Sequence, residues 1–489
     1  MSTENPELLR AAARPDDSEG RGWRAVIVVL VGAFMALLDT TIVTVALPTI
    51  RTGLNTSAAG LEWVVSAYSL AYGITLVPAG RAGDRFGHKP LFLVGLSVFT
   101  LASAACGLSQ NQTEIIAART IQGIGAGIFY PAIAATIQLS FTGAKRSKAF
   151  GALGATIGAS IALGPVLGGV IIAGVGTHEG WRWVFLVNLI IGAIALPVAA
   201  KQLPRAKSLT PRRFDPVGLV LLVLGLVLLL VPMVEGQQFG WPLWCYACFG
   251  ACAVVFVALG FWEVHADRAG KDPLLKPSLL SQTSFSAGAI FAIVYFAGFT
   301  SVFFTLSILW QSGLGRSALM TGLVVIPFSF GSLVSAAVSD KLSRRMGRMV
   351  LVTGCAMVAV GLALTALVVS LEAPTPGAWG LVGPLLLAGL GSGMVIAPNQ
   401  DFVLAEVPLR EAGTASAILS TAQRTGSALG IAIIGTVLFA NLHFKAEPNA
   451  VAAAFSHSAE LALLANTGFV LVSLLLVIFL PRQIPNREP

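Results

Sequence analysis

The chain has 489 residues, 55% hydrophobic and only 11% charged, with a mean hydropathy of +0.82. Soluble domains carry about 25% charged residues, so composition excludes a soluble globular protein and points to an all-α polytopic membrane protein. The formal net charge of +8 fits the Lys and Arg that collect in cytoplasmic loops of membrane proteins, and no nucleic-acid partner is expected.

Residues 1–22 hold Asp16, Asp17, Glu19, Pro15 and Gly20 and read as a short disordered cytoplasmic tail. No cleavable signal is evident, and the first apolar run serves as the targeting segment. That run, Trp23 to Ile50, exceeds the roughly 20 residues needed to cross a bilayer. One carboxylate, Asp39, interrupts it. A charge at mid-membrane costs about 2.5–3.5 kcal/mol on insertion scales, and such residues mark functional sites by default. The alternative is a buried residue that only fixes helix packing.

Apolar runs separated by polar breaks predict fourteen spans, at about 24–48, 59–80, 90–109, 113–139, 147–175, 182–200, 216–234, 243–263, 284–309, 318–339, 349–371, 379–399, 412–440 and 461–480. With the N-terminus inside, the cytoplasmic segments hold 25 of the 31 Lys and Arg. The opposite side holds four: Arg51, Arg182, Arg316 and Lys445. This bias favours an even number of spans with both termini cytoplasmic.

An internal repeat is visible. Gly83-Asp84-Arg85-Phe86-Gly87-His88-Lys89, after span two, matches Ser343-Arg344-Arg345-Met346-Gly347-Arg348-Met349, after span ten, at an offset of 260. The same offset carries span one onto span nine. The expected organisation is an N-terminal six-helix bundle (23–200), a linker with two inserted helices (201–283), a C-terminal six-helix bundle (284–481) and a cytoplasmic tail (482–489). Two six-helix halves with a midplane site describe a secondary transporter.

Depth arithmetic at ~1.5 Å per residue puts Asp39 ~22 Å from the inner end of span one, hence ~8 Å from the outer side of a ~30 Å core. Arg119, on inward-running span four, falls ~9 Å from the outer side. The pair reads either as a proton-carrying Asp governed by its Arg neighbour or as a static ion pair. The other acids, Glu62, Glu114, Glu235, Glu263 and Glu411, fall near span ends. Arg424 lies ~18 Å into span thirteen, facing a cavity or anchored to a backbone carbonyl. Phe291, Tyr295, Phe296 and Phe299 in span nine can offer aromatic faces or fill the core. Span five is marked by Gly151, Gly154, Gly158, Gly164-Pro165 and Gly168-Gly169: small residues for close approach and a proline that bends the helix near its outer end. Gly123 to Gly127 (GIGAG) follows no strand and reads as packing. Cys245-x-x-Cys248 lies in an apolar run with no His nearby, so no metal site is expected. No catalytic cluster or nucleotide loop occurs, so the chain reads as a non-enzyme.

These residues together resemble the major facilitator superfamily, specifically its fourteen-spanner drug/proton antiporters. Leu38-Asp39-Thr40-Thr41-Ile42-Val43-Thr44-Val45-Ala46-Leu47-Pro48 is similar to that family's first-span motif. Gly80-Arg81-Ala82-Gly83-Asp84-Arg85-Phe86-Gly87-His88-Lys89 resembles the loop motif that latches the cytoplasmic side. Arg119-Thr120-Ile121-Gln122-Gly123 resembles the fourth-span motif tied to proton coupling, and Gly164-Pro165-Val166-Leu167-Gly168-Gly169 the antiporter motif of exporters. Trp181-Arg182-Trp183-Val184-Phe185-Leu186-Val187-Asn188 also fits. Departures are Ala82 for the usual Leu, no Pro at Leu189–Ile191, and Arg344 where the first half has Asp84.

The resemblance implies a proton-coupled exporter of amphipathic small molecules such as antibiotics, working by alternating access. A dedicated exporter of one self-made antibiotic, lipid or siderophore is the alternative, and an uptake symporter is disfavoured by Gly164-Pro165. Expected roles are proton coupling at Asp39 and Arg119, a latch of Gly80, Asp84, Arg85, Gly87 and Lys89, and an antiporter motif of Gly164, Pro165, Gly168 and Gly169. A substrate cavity is expected at Gln122, Tyr295, Phe296, Gln423 and Arg424. The implied partners are small amphipathic substrates, protons and the lipid bilayer, with no cofactor beyond the proton gradient. A monomer in the bacterial cytoplasmic membrane is expected.

Overall fold

The computed structural model describes residues 15–141, 143–176, 178–204, 215–236, 239–274, 277–404, 407, 412–442 and 450–482. Most of both expected tails lies outside these residues. The first three spans are α1 (Pro15–Leu54), α2 (Ala58–Phe86) and α3 (His88–Leu108). Span four is α4 (Gln112–Phe129) continued by α5 (Pro131–Ser140), span five is α6 (Gly143–Val175) and span six is α7 (Gly180–Gln202). The inserted pair is α8 (Pro216–Glu235) and α9 (Leu243–Arg268). After the short α10 (Pro277–Leu280) come α11 (Thr283–Ser307), α12 (Ala318–Met346), α13 (Met349–Leu371), α14 (Ala378–Leu404), α15 (Ala412–Ala440) and α16 (Ala450–Leu476). Among the described residues, thirteen stretches are long and apolar enough to cross a membrane. The bent pair 152–160 and 163–175 of α6 makes a fourteenth.

The 41° bend of α6 falls one turn before Pro165. That is where proline acts, since its ring clashes with the carbonyl four residues earlier and its missing N–H leaves that carbonyl free. Thr41 of α1 donates to the Ser160 carbonyl beside the break, at 3.2 Å. The bend therefore lies nearer mid-helix than the proline itself.

The loop expected after α2 is almost absent. The helix runs through Phe86, and α3 begins at His88, so the chain turns on Gly87 alone at φ +95°. Gly347 makes the equivalent pivot between α12 and α13 at φ +54°. Both sit in backbone conformations that L side chains avoid.

Glycine also sets how closely helices approach. A Cβ at Gly123 would lie 2.4 Å from the Tyr68 carbonyl, and one at Gly127 would lie 2.7 Å from that of Tyr72. The GIGAG stretch thus beds α4 against α2, as packing. A Cβ at Gly164 would overlap Thr41 Oγ1, and one at Gly168 would lie 3.0 Å from Ile42, so α6 lies directly on α1.

The halves meet along α2 with α15 and α6 with α12. Thr421 donates to the Gly73 carbonyl at 2.7 Å, and Ser66 donates to that of Ala428 at 3.3 Å. At the far end from the Lys and Arg excess, Ser307 donates to the Thr44 carbonyl at 2.5 Å. Gln311, in the π-helical turn Ile308–Gly313 that follows α11, donates to the Val45 carbonyl at 2.8 Å. Cβ atoms at Gly169 and Gly322 would sit 2.7 Å from Leu319 Cα and 2.4 Å from the Pro165 carbonyl. These contacts seal the outer side.

Of the inserted pair, α8 packs on α2 and α15, and α9 packs on α8. Asp215 accepts from the Gly218 amide, the Trp262 indole and the Leu274 amide, tying the pair to its linker. Cys252 Sγ donates to the Gly225 carbonyl at 3.3 Å, which is a packing role. Leu243, Tyr246, Val254, Val257 and Phe261 of α9 are exposed, an apolar face that suits lipid.

Candidate functional site: a buried ion pair beside an inner cavity

Asp39 of α1 and Arg119 of α4 form an ion pair with both side chains fully buried. The carboxylate also accepts from Gln122 Nε2 at 2.9 Å and from Asn188 Nδ2 at 3.1 Å. Arg119 donates through Nε to the Val64 carbonyl at 2.9 Å and through Nη1 to Gln122 Oε1 at 2.8 Å. Its guanidinium lies 4.1 Å from the centre of the Tyr68 ring. Ser103 of α3 closes the network by accepting from Gln122 and Asn188, each at 3.1 Å. Five helices of the N-terminal half, α1, α2, α3, α4 and α7, thus meet in one network around a single carboxylate. Two polar atoms of the network, Arg119 Nη2 and Asn188 Oδ1, find no partner, so the cluster is dense without being saturated.

The C-terminal half holds one comparable contact between its first and last helices, without an acid. Ser301 of α11 pairs with Asn466 of α16 at 2.6 Å, much as Asp39 pairs with Asn188. The titratable group of this motif belongs to one half only.

A cavity of about 950 Å³ lies between the halves. It runs from Thr44 and Phe303 down to the helix ends at Arg81, His88, Leu139 and Leu404, and opens on the Lys- and Arg-rich side. Of the five residues assigned to a substrate cavity, Phe296, Gln423 and Arg424 line it; Gln122 and Tyr295 do not. Gln122 is fully buried against Asp39. Tyr295 is fully buried, stacked at 5.8 Å on Phe291 and 6.0 Å on Phe299. The cavity face of α11 is Phe296, Phe299, Thr300 and Phe303, and Tyr295 lies one residue off that stripe.

Of the residues assigned to the latch, Gly80 lines the cavity and Gly87 is the pivot. Arg85 is exposed beside the Phe86 ring, at 5.2 Å. Lys89 donates to the carbonyls of Ala200 and Leu203, at 2.6 and 2.9 Å. It thereby caps the C-terminal end of α7 in its own half. Arg348 does the same for the end of α16 through Ile478 and Leu480. The side chain of Asp84 lies outside the described residues. Gly164, Pro165, Gly168 and Gly169 sit where α6 meets α1 and α12.

Sequence reasoning missed three features. Asn188 completes the carboxylate network; a polar residue within an otherwise apolar span six was its signal. Tyr68 and Tyr72 lie one turn apart on α2, between Arg119 and Arg424, whose guanidinium is 4.4 Å from the Tyr72 ring centre. Glu62, expected near a span end, is buried where α2 meets Gly435 of α15, with Oε2 unpartnered. The adjacent Trp63 donates to Glu235 of α8 at 2.7 Å.

A family profile for the Major Facilitator Superfamily matches residues 29–275 and 216–431. The chain is 35% identical over 427 residues to a probable actinorhodin transporter of Streptomyces coelicolor, covering 87% of this chain and 74% of that one. It is 32% identical over 421 residues to the multidrug resistance protein Stp of Mycobacterium tuberculosis, covering 86% and 76%. Among solved structures it is similar to a D-xylose-proton symporter, with a TM-score of 0.65 at 16% identity over 94% of this chain and 98% of that one. That last likeness concerns the fold alone. With its many spans and these relatives, the chain is a multi-pass transporter of the plasma membrane and belongs to the Major Facilitator Superfamily.

Proposed function

We propose that this protein exports amphipathic small molecules in exchange for protons, by alternating access between the inner cavity and an outward-open state. The observation that carries the reading is the fully buried Asp39–Arg119 pair beside a cavity that reaches the inner helix ends at Arg81, His88, Leu139 and Leu404. In this state the carboxylate is out of reach of substrate. A proton on Asp39 would cancel the counter-charge of Arg119 and leave a buried guanidinium without an ionic partner. Breaking a buried pair in this way costs about 3–5 kcal/mol. Relief comes from moving α1 against α4, α3 and α7. Because α1 also carries Thr40, Thr41 and Thr44 into the cavity wall, the same movement alters the substrate site. Proton and substrate thus compete through one helix. The cavity is lined by residues of one chain, which supports a monomeric working unit.

A dedicated exporter of one metabolite is the second reading, favoured by the likeness to the probable actinorhodin transporter. The test of the first is proton counter-flow in inside-out vesicles. Adding substrate should dissipate an imposed pH gradient with the wild type and not with Asp39→Asn, at equal expression. Undiminished counter-flow in the variant would remove Asp39 from coupling. A growth-inhibition panel, with and without the gene, separates many substrates from one.

A further inference from the structure

Four arginines of the helical body spend their donors on the protein. Arg119 binds Asp39, Gln122 and the Val64 carbonyl. Arg81 is committed to the carbonyls of Asp272, Pro273 and Leu274. Arg182 and Arg348 also donate to carbonyls. Arg424 is different. It lies on the cavity wall, half-buried, and among the described residues it has no carboxylate or carbonyl acceptor. Its neighbour is the face of Tyr72.

Among the described lining residues, none is an acid placed to balance this charge. Asp39 has no face on it. Asp401, the one carboxylate among the described lining residues, lies with Gln400 and Leu404 near the inner end of α14 and is engaged in an interaction of its own. The adjoining wall of α11, which packs on α15, is aromatic: Phe296, Phe299 and Phe303, with successive ring centres 5.7 and 5.5 Å apart. An apolar wall strengthens the field of an uncompensated charge. A guanidinium with free donors is shaped for bidentate capture of a planar or tetrahedral oxyanion. A cationic guest would meet Arg424 with nothing to offset it.

We infer that the cavity selects amphipathic aromatic molecules bearing one acidic group, a carboxylate, sulfonate or acidic phenol, with Arg424 taking the anion and the α11 phenylalanines taking the ring system. The inference rests on the exporter reading for transport, but not for binding. Tyr72 holds the guanidinium from behind by a cation–π contact, and Gln423 and Ser427 on the same wall supply neutral hydrogen bonds.

The test uses dyes that share a xanthene frame, in mildly alkaline buffer: fluorescein methyl ester (hereafter fluorescein), a monoanion through its one phenol, the methyl ether of that ester as the neutral member, and rhodamine 123 as the monocation. Binding is measured by equilibrium titration to the purified full chain in lipid nanodiscs, with competition between the dyes. Fluorescein should displace rhodamine 123 from the wild type. Arg424→Gln should weaken fluorescein binding roughly 10- to 100-fold, the usual range for a lost hydrogen bond to a charged group, and leave the neutral dye within about twofold. Arg424→Lys should fall between them. Absent fluorescein binding, binding no tighter than that of rhodamine 123, or equal loss of all three dyes in the Gln variant would overturn the inference. The wild-type competition decides even if a variant fails to fold. Flux of fluorescein into energised inside-out vesicles is read separately. Binding without flux would count against the exporter reading and leave the anion site standing.

Discussion

Asp39 and Arg119 each violate the solvent they sit in, and each is tolerated because of the other. Depth along two oppositely directed helices was enough to put them at one level, since rise per residue is nearly constant. Depth does not give the side a residue faces. Gln122, one turn from Arg119, turns inward to the carboxylate, and Tyr295 misses the cavity stripe of α11 by one position, which is 100° of helix. Both were expected in the cavity for want of that angle. The pair also makes an energetic prediction. Asp39→Asn alone leaves Arg119 buried without an ionic partner and should lower stability by about 3–5 kcal/mol. Adding Arg119→Gln removes the second charge, so the double variant should recover most of the loss while remaining uncoupled. Thermal unfolding of the three variants in lipid or detergent checks this. A double variant no more stable than Asp39→Asn would mean that the network is held by its neutral hydrogen bonds.

At the scale of elements, the glycines of α6 and α12 decide which side of the molecule is shut. A Cβ at Gly322 would meet the Pro165 carbonyl, a backbone atom that cannot rotate away. Gly322→Val should therefore pry α6 from α12 and bias the protein toward the outward-open state. Ser307, now 1% exposed and bonded to Thr44, reports the change. In a background without the five native cysteines, Ser307→Cys should react with an impermeant maleimide from outside several-fold faster when Gly322 is Val, with transport lost. Unaltered labelling and transport would show that this contact does not hold the seal. The inserted pair gives the opposite expectation. No residue of α8 or α9 lines the cavity, so cysteines along 216–263 should show no protection by substrate. The repeat at offset 260 made that pair legible as an insertion. What it could not convey was the Gly87 pivot or the turn of Lys89 and Arg348 back to their own halves, because a motif states spacing and not the direction of a side chain.

For the molecule as a whole, the charges moved per cycle follow from where the ionisable groups sit. The carboxylate network lies in one half and, among the described residues, holds one acid; on the proposed exchange with protons, that predicts one proton inward per turnover. If the guest is a monoanion, its exit adds a second positive charge moved inward in effect. Each charge crossing the membrane is worth about 2.3 kcal/mol per 100 mV, so export of a monoanion gains roughly 4–5 kcal/mol per 100 mV of inside-negative potential. A neutral guest gains half of that, and exchange of a monocation for a proton gains nothing. Proteoliposomes with no pH gradient and a potassium–valinomycin potential should therefore drive the three xanthene dyes in the order anion, neutral, cation, with cation flux indifferent to potential. Glu62 offers the rival outcome. It is buried between the halves with an unpartnered oxygen, and a second proton carried there would add one inward charge to every cycle. Cation flux that responds to potential in the wild type and loses that response in Glu62→Gln would replace the one-proton count with two. Cation flux that ignores potential in both would leave Asp39 as the acid that sets the count.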